Sequence, residues 1–386
     1  MRLILIIFIQ IIFSVTLLSQ NEGSPSFWKS HFEFDGYVKF MQTFTGDQEG
    51  NIYDQSLWHN RINTKFRVNP NHEVVLQARN RIIYGEAVKL DSQIKSSLDF
   101  DNGIADLSLV VGEEDGFLYS GIIDRFYYKG VSGDWEWSLG RQRINWGINT
   151  FFNANDIFNA FTITDFDYEE RPGSDAVRIQ KYFKNGSDIE LAGAIYTDTS
   201  IVAALKYGWN YKNYDLQVLV GKYYDDYVFG GGWAGNIKNW GFKGEMSYFI
   251  PNSKKVNHAA SVSVSAEYII NNGKFISVGG LYSSSGLRRG ADISTALLSF
   301  NTSAKNLMPT QWTGMFTFGG QLKELSNFAI VVLYMPEVNM GLLMPSISYS
   351  IARNWDVSIF MINVAGVVGN DFIALANGFF RMKYSF

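Results

Sequence analysis

The final nine residues, Gly378 to Phe386, set the tightest limit on what this chain can fold into. Gly378, Phe380, Met382, Tyr384 and Phe386 fall on one parity, and Arg381, Lys383 and Ser385 fall on the other. Successive side chains of an extended strand point to opposite faces, so this segment has an aromatic face and a cationic face. The aromatic face continues to the last residue. A strand of this kind needs an apolar medium on one side and water on the other.

The same period recurs through most of the chain. Alternating segments are expected at 33–44, 57–69, 72–85, 117–129, 133–143, 174–183, 187–196, 201–211 and 213–223. They continue at 226–235, 238–250, 259–270, 274–284, 312–324, 326–336, 341–351, 353–364 and 374–386. That gives about 18 strands, with 16 as the alternative, each long enough to cross a bilayer at a tilt. The links between them alternate in length. Asn69-Pro70-Asn71, Lys184-Asn185-Gly186, Asn271-Asn272-Gly273 and Ala352-Arg353-Asn354 read as tight turns. Between these fall longer links at 45–56, 86–116, 144–173, 251–258, 285–311 and 365–373. The expected fold class is all-β, a transmembrane antiparallel barrel with short periplasmic turns and long extracellular loops.

Composition agrees with this reading. Aromatic residues make up 16% of the 386-residue chain, and the mean hydropathy is close to zero. Strands that show every second residue to water produce that average, whereas helical spans would raise it. The absence of cysteine excludes disulfides, thiolate metal sites and thiol nucleophiles. A net charge of -4 argues against a nucleic-acid partner. Met1-Arg2 followed by the apolar run Leu3 to Leu18 reads as a signal peptide over 1–19, with the barrel over 20–386.

Parity also assigns the two faces. On 57–69, Trp58, Ile62, Phe66 and Val68 oppose His59, Arg61, Asn63, Lys65 and Arg67. On 72–85, Leu76, Ala78 and Ile82 oppose Gln77, Arg79 and Arg81. A cation facing lipid at mid-depth costs about 2–4 kcal/mol, so the charged parity is the lumen. Lys39, Arg61, Lys65, Arg67, Arg79, Arg81 and Arg178 then form a cationic wall. The link 144–173 holds an apolar set (Phe151, Phe152, Ile157, Phe158, Phe161) and the acids Asp165, Asp167, Glu169 and Glu170. It is expected to fold into the lumen, where its acids would face the arginines across a constriction. The bland alternative is that these charges only pin the loop.

The C-terminal strand 378–386 resembles the recognition strand by which bacterial outer-membrane barrels engage the barrel assembly machinery. The run Gly140-Arg141-Gln142 with Trp146-Gly147, Asn155, Asn159 and Arg171-Pro172-Gly173 is similar to a pattern of Gram-negative porin-like families, including alginate-export channels. It covers about 40 residues. The resemblance implies a porin-type channel in the outer membrane for small hydrophilic solutes, not a particular solute. Parity leaves Arg141 and Arg143 with Trp135, Trp137 and Leu139 on the lipid side, so either a bulge near Gly140 switches register or these arginines lie above the membrane plane.

Other classes find less support. The four histidines, His31, His59, His72 and His258, lack the setting of a catalytic base, no metal-ligand spacing occurs and no cofactor is implied. No plug domain precedes the first strand. A non-conducting barrel that serves as an accessory subunit remains the second reading, with lipid, partner proteins or further copies of the chain as its contacts.

Overall fold

The computed structural model describes residues 30–90, 98, 101, 103–112, 116–160, 171, 173–253, 256–290, 302–368 and 371–386. The signal-peptide reading over 1–19 lies outside these residues, as do Phe161, Asp165, Asp167, Glu169 and Glu170. The strands are β1 (Phe32–Gly46), β2 (Ile52–Asn69), β3 (His72–Tyr84), β4 (Ser108–Val111), β5 (Phe117–Ser132) and β6 (Trp135–Gln142). Next come β7 (Ser174–Tyr182), β8 (Asp188–Ile195), β9 (Ile201–Tyr211), β10 (Tyr214–Tyr223), β11 (Asp226–Ile237) and β12 (Trp240–Pro251). The last seven are β13 (Ala259–Ile270), β14 (Lys274–Ser283), β15 (Trp312–Lys323), β16 (Ser326–Met335), β17 (Met340–Ala352), β18 (Trp355–Val368) and β19 (Asp371–Ser385).

Eighteen of these strands form one closed antiparallel wall in sequence order. The eighteen expected segments each fall on one of them. β4 is the exception: it pairs with β5 alone, above the point where β6 ends. Closure joins β1 to β19, from Tyr37↔Ser385 to Gly46↔Ala376. Gly36 and Phe386 exchange two backbone hydrogen bonds of 3.0 Å. A side chain at Gly36 would strike the Arg61 carbonyl and the Phe386 ring, so glycine there lets the final aromatic seal the seam. Pairing of the first strand with the last leaves neither as a free edge, which a bilayer favours because lipid offers the backbone no partners.

The outward parity is apolar and exposed, as at Leu139, Val177, Leu205, Val218, Val264, Phe316 and Ile359. Aromatic pairs such as Trp240–Tyr268 and Trp355–Tyr384 lie at the short-turn end, and Tyr282–Trp312 lies toward the other. The short turns use the left-handed backbone that their Asn and Gly residues suggested, with φ of 70° at Asn272, 73° at Asn354 and 81° at Gly186. One expected long link is absent. β18 and β19 continue pairing up to Val368↔Asp371, because the apolar run Val364 to Val368 finds a matching run from Phe372 to Leu375. The link 45–56 likewise shortens to the few residues between Gly46 and Ile52.

Candidate functional site

β6 is only eight residues long. After Gln142 the chain leaves the wall, and the segment 143–160 hydrogen-bonds to inward-facing side chains of β8, β10, β12 and β13. Glu245 of β12 organises this arrangement. Its carboxylate, fully enclosed, accepts the backbone N–H groups of Ile148, of Asn149 at 2.5 Å and of Asn155 at 2.8 Å. A carboxylate accepting several backbone donors answers polar groups that an irregular buried segment would otherwise leave bare. Gln217 donates to the Trp146 carbonyl at 2.6 Å, and Trp146 Nε1 donates to Glu190 at 2.7 Å. Asn155 Nδ2 donates to the Gly231 carbonyl, and the Ser247 hydroxyl donates to Asn155 Oδ1. Asn149 and Ser263 bond at 2.8 Å, and Ser263 also donates to the Phe152 carbonyl.

Apolar packing completes the anchorage. Ile144, Trp146, Ile157 and Phe158 pack against Ala192, Ala194, Val202, Leu219 and Val228 of the wall. Phe152 joins Leu281, Leu307, Met308 and Met315 in a second cluster. Full burial of a side chain such as Ile157 or Phe158 contributes about 1.5–3 kcal/mol. The wall makes room with small residues. A Cβ at Gly279 would lie 2.4 Å from the Phe151 ring, and one at Gly230 would lie 2.8 Å from Asn155 Oδ1. Ser263 and Ser265 of β13 are part of the bed of this segment.

Charges fix its two ends. Asp156, enclosed in the connection, pairs with Arg171 at 3.0 Å. Burial pushes its carboxyl up to about 6, against the downward pull of Arg171 and Arg143. Arg178 contacts Glu190 at 2.5 Å and Glu136 at 3.7 Å, and Lys206 reaches Glu190 at 3.1 Å. Arg178 thus stands beside the anchor of Trp146, away from the other expected cations.

Lys39, Arg61, Arg79 and Arg81 do share one stretch of wall, on β1, β2 and β3, with Arg61 directly opposite Arg79 and His59 opposite Arg81. Arg61 and Arg79 share one acid, Asp124, which lies 2.6 Å from Arg61 and 3.2 Å from Arg79 and is wholly buried. A bulge creates this contact: Gln77 pairs with Arg125 and Ala78 with Ile123, so Asp124 is the extra residue of β5. The adjacent charges Asp124-Arg125 break the alternation of β5 and could have signalled the bulge. Lys383 stacks on Tyr37 at 4.5 Å and Arg381 on Phe360 at 5.6 Å, which extends the cationic wall across the seam. Lys65 and Arg67 lie lower, at the short-turn end, where both meet Glu33 and remain partly exposed.

Gly140 does not switch the register. Leu139↔Val177 and Arg141↔Asp175 are successive same-parity pairs. Arg141 keeps the parity of Leu139 and is buried, bonded to Asp175 of β7 at 2.8 Å and, from another connection, to Asp101 at 2.6 Å and the Ala105 carbonyl at 2.7 Å. Below, at the short-turn end, a cavity of about 400 Å³ opens between Asp215, Asn236, Asn239, Lys243 and Glu267.

No protein-family model and no curated protein matches the sequence. Solved structures do match in shape. OccAB4 of Acinetobacter baumannii aligns with a TM-score of 0.53 at 8% identity, over 92% of this chain and 99% of its own. OccK11 and OprD of Pseudomonas aeruginosa each give 0.56 at 8% identity, over 92% of this chain and 95% of theirs. The fold is that of the outer-membrane porins. At this identity the likeness speaks for the architecture alone.

Proposed function

We propose that this chain is a passive channel of the Gram-negative outer membrane for small hydrophilic solutes, narrowed by the connection 144–173. The observation that carries the reading is the segment 143–160, held to the inner wall by Glu245 through three backbone hydrogen bonds. A rigid inward segment opposite the Lys39, Arg61, Arg79 and Arg81 wall is the arrangement a selective constriction needs. In this reading Asp165, Asp167, Glu169 and Glu170 complete it, so that acids face cations across the passage. The cavity at the short-turn end serves as the periplasmic mouth. The signal peptide 1–19 exports the chain, and strand 378–386 presents it to the assembly machinery. The pattern from Gly140 to Gly173, similar to that of alginate-export channels, lies along the connection that narrows the pore and leaves the solute open.

One feature favours the second reading, a closed barrel that supports a larger complex. Leu307 and Met308, from the connection before β15, pack deep in the same apolar cluster as Phe152. Catalysis has less to recommend it. His72 and His258 pair with the hydroxyls of Tyr128 and Tyr248, and His59 lies edge-on to Tyr37.

Single-channel recording in a planar bilayer under a salt gradient separates the readings. Steady openings whose reversal potential moves in Arg79→Gln and Arg81→Gln establish the channel. A folded barrel that stays silent overturns it.

A further inference from the structure

One side of the lumen is filled. On β8 to β13 the inward side chains Ala192, Val202, Leu219, Val228, Phe249 and Ser263 are buried. The segment 143–160 covers this side together with the connection 302–310, whose Ala304 joins the same apolar cluster. Lys305 clamps that connection. It pairs with Asp226 and lies 5.9 Å over the Tyr223 ring and 5.8 Å over the Phe249 ring.

The inward parity of β18 and β19 is different. Phe360, Ile362, Val364, Leu375 and Phe379 point into the lumen, because they alternate with the exposed, lipid-facing Ile359, Met361 and Phe380. None of the five is buried, and Leu375 is 40% exposed. The inward face of a barrel strand is polar where it meets only water, so an open apolar strip there calls for a reason. Val364 borders the cluster of Phe152, and Phe360 and Phe379 border that of Met41 and Leu57. Phe360 and Phe379 are direct partners whose rings stack at 4.5 Å and 6°. Toward the short turns the same parity becomes polar, with Ser358 opposite Arg381 and Asp356 opposite Lys383. The Arg381 guanidinium lies 5.6 Å over the Phe360 ring, so the polar foot begins where the aromatic pair ends.

We infer that this strip is the selective path of the channel, and that it favours solutes in which a polar head is joined to an aromatic or branched aliphatic body. The inference deepens the channel reading above and rests on it. The body moves along Leu375, Val364, Ile362 and the two rings, while the head meets charges of both signs at Arg381, Asp356 and Lys383. Apolar surface leaves water as the body enters, which offsets part of the cost of dehydration in a narrow passage. A wholly polar solute of the same size gains nothing from such a wall.

Leucine and asparagine form a matched pair, with one zwitterionic head, nearly one size and bodies of opposite polarity. Swelling of liposomes that hold the purified channel reads their entry, with glycine as the reference and protein-free liposomes as the background. Leucine should enter about four-fold faster than asparagine, the equivalent of one methylene withdrawn from water. Leu375→Asn combined with Ile362→Thr should bring that ratio to about one, as expected when the apolar contact is removed. Heat-modifiable gel mobility checks that the variant has folded. Should the pair of changes prevent folding, Leu375→Asn alone, at the most exposed of the five positions, carries the same comparison. Two results overturn the inference while glycine enters freely: leucine no faster than asparagine, or a leucine preference that survives the substitutions. Failure of glycine to enter would overturn the channel reading itself, and the inference with it.

Discussion

Replacing Glu245 should release the inward segment without dismantling the barrel. In the native protein its two oxygens take three backbone N–H groups, from Ile148, Asn149 and Asn155. Glu245→Ala leaves those three donors enclosed and unpaired, and each such group costs about 1–3 kcal/mol. The sum is roughly 3–9 kcal/mol, offset in part because the mutant no longer holds a carboxylate away from water. A net effect of about 4 kcal/mol corresponds to roughly a thousand-fold rise in local opening. Glu245→Gln is the informative companion. Its remaining oxygen can still take Ile148 and Asn149, but its amide donor now faces the Asn155 N–H. One bond is lost and two donors oppose each other, so its effect should lie between wild type and alanine. Hydrogen exchange read over residues 148–155, together with single-channel noise, measures this directly. Protection of 148–155 should fall in the order wild type, glutamine, alanine, and the alanine channel should flicker between conductance levels. Unchanged protection in Glu245→Ala, with the barrel folded, would refute the anchoring argument.

Other outcomes follow from the same geometry. Asp124→Ala strands Arg61 and Arg79 in a buried site and should lower the unfolding free energy by about 3–5 kcal/mol, read from denaturant midpoints; Asp124→Ala combined with Arg61→Ala should cost less than the sum of the two single changes. Gly279→Val drives a side chain into the Phe151 ring, which a Cβ would already approach to 2.4 Å. It should cost about 1–3 kcal/mol and alter conductance, whereas Gly314→Val, at an open outward position, should alter neither. The carboxyl of Asp156 is raised from 3.8 to about 6. A raised acid contributes stability that is present below its unfolded value and is lost as pH climbs through the folded one. The thermal midpoint of Asp156→Asn should therefore gain on wild type between pH 4 and pH 7, and a constant difference across that range would contradict the assignment.

Much of the architecture was legible in the chain. Period-two alternation placed eighteen strands, because a lipid-facing residue and a water-facing residue must alternate when a single sheet separates the two media. Turn chemistry marked Gly186, Asn272 and Asn354 for the same local reason, since few residues tolerate a positive φ. Parity also brought Lys39, Arg61, Arg79 and Arg81 to one wall, which the strand pairing reproduces. What stayed hidden depended on contacts distant in sequence. Glu245 reads as one more inward polar residue until a segment about ninety positions away lays its backbone against it. Asp124 faces the arginines only because a bulge adds one residue to β5, a shift that alternation alone cannot locate. Arg141 keeps the parity that pointed it outward and is neutralised by Asp101, which arrives from another connection. The sequence by itself determined the wall, because inside and outside repeat with every residue of a strand. Only the tertiary structure decided what fills the wall, because the inward segment has no period and is placed by individual hydrogen bonds.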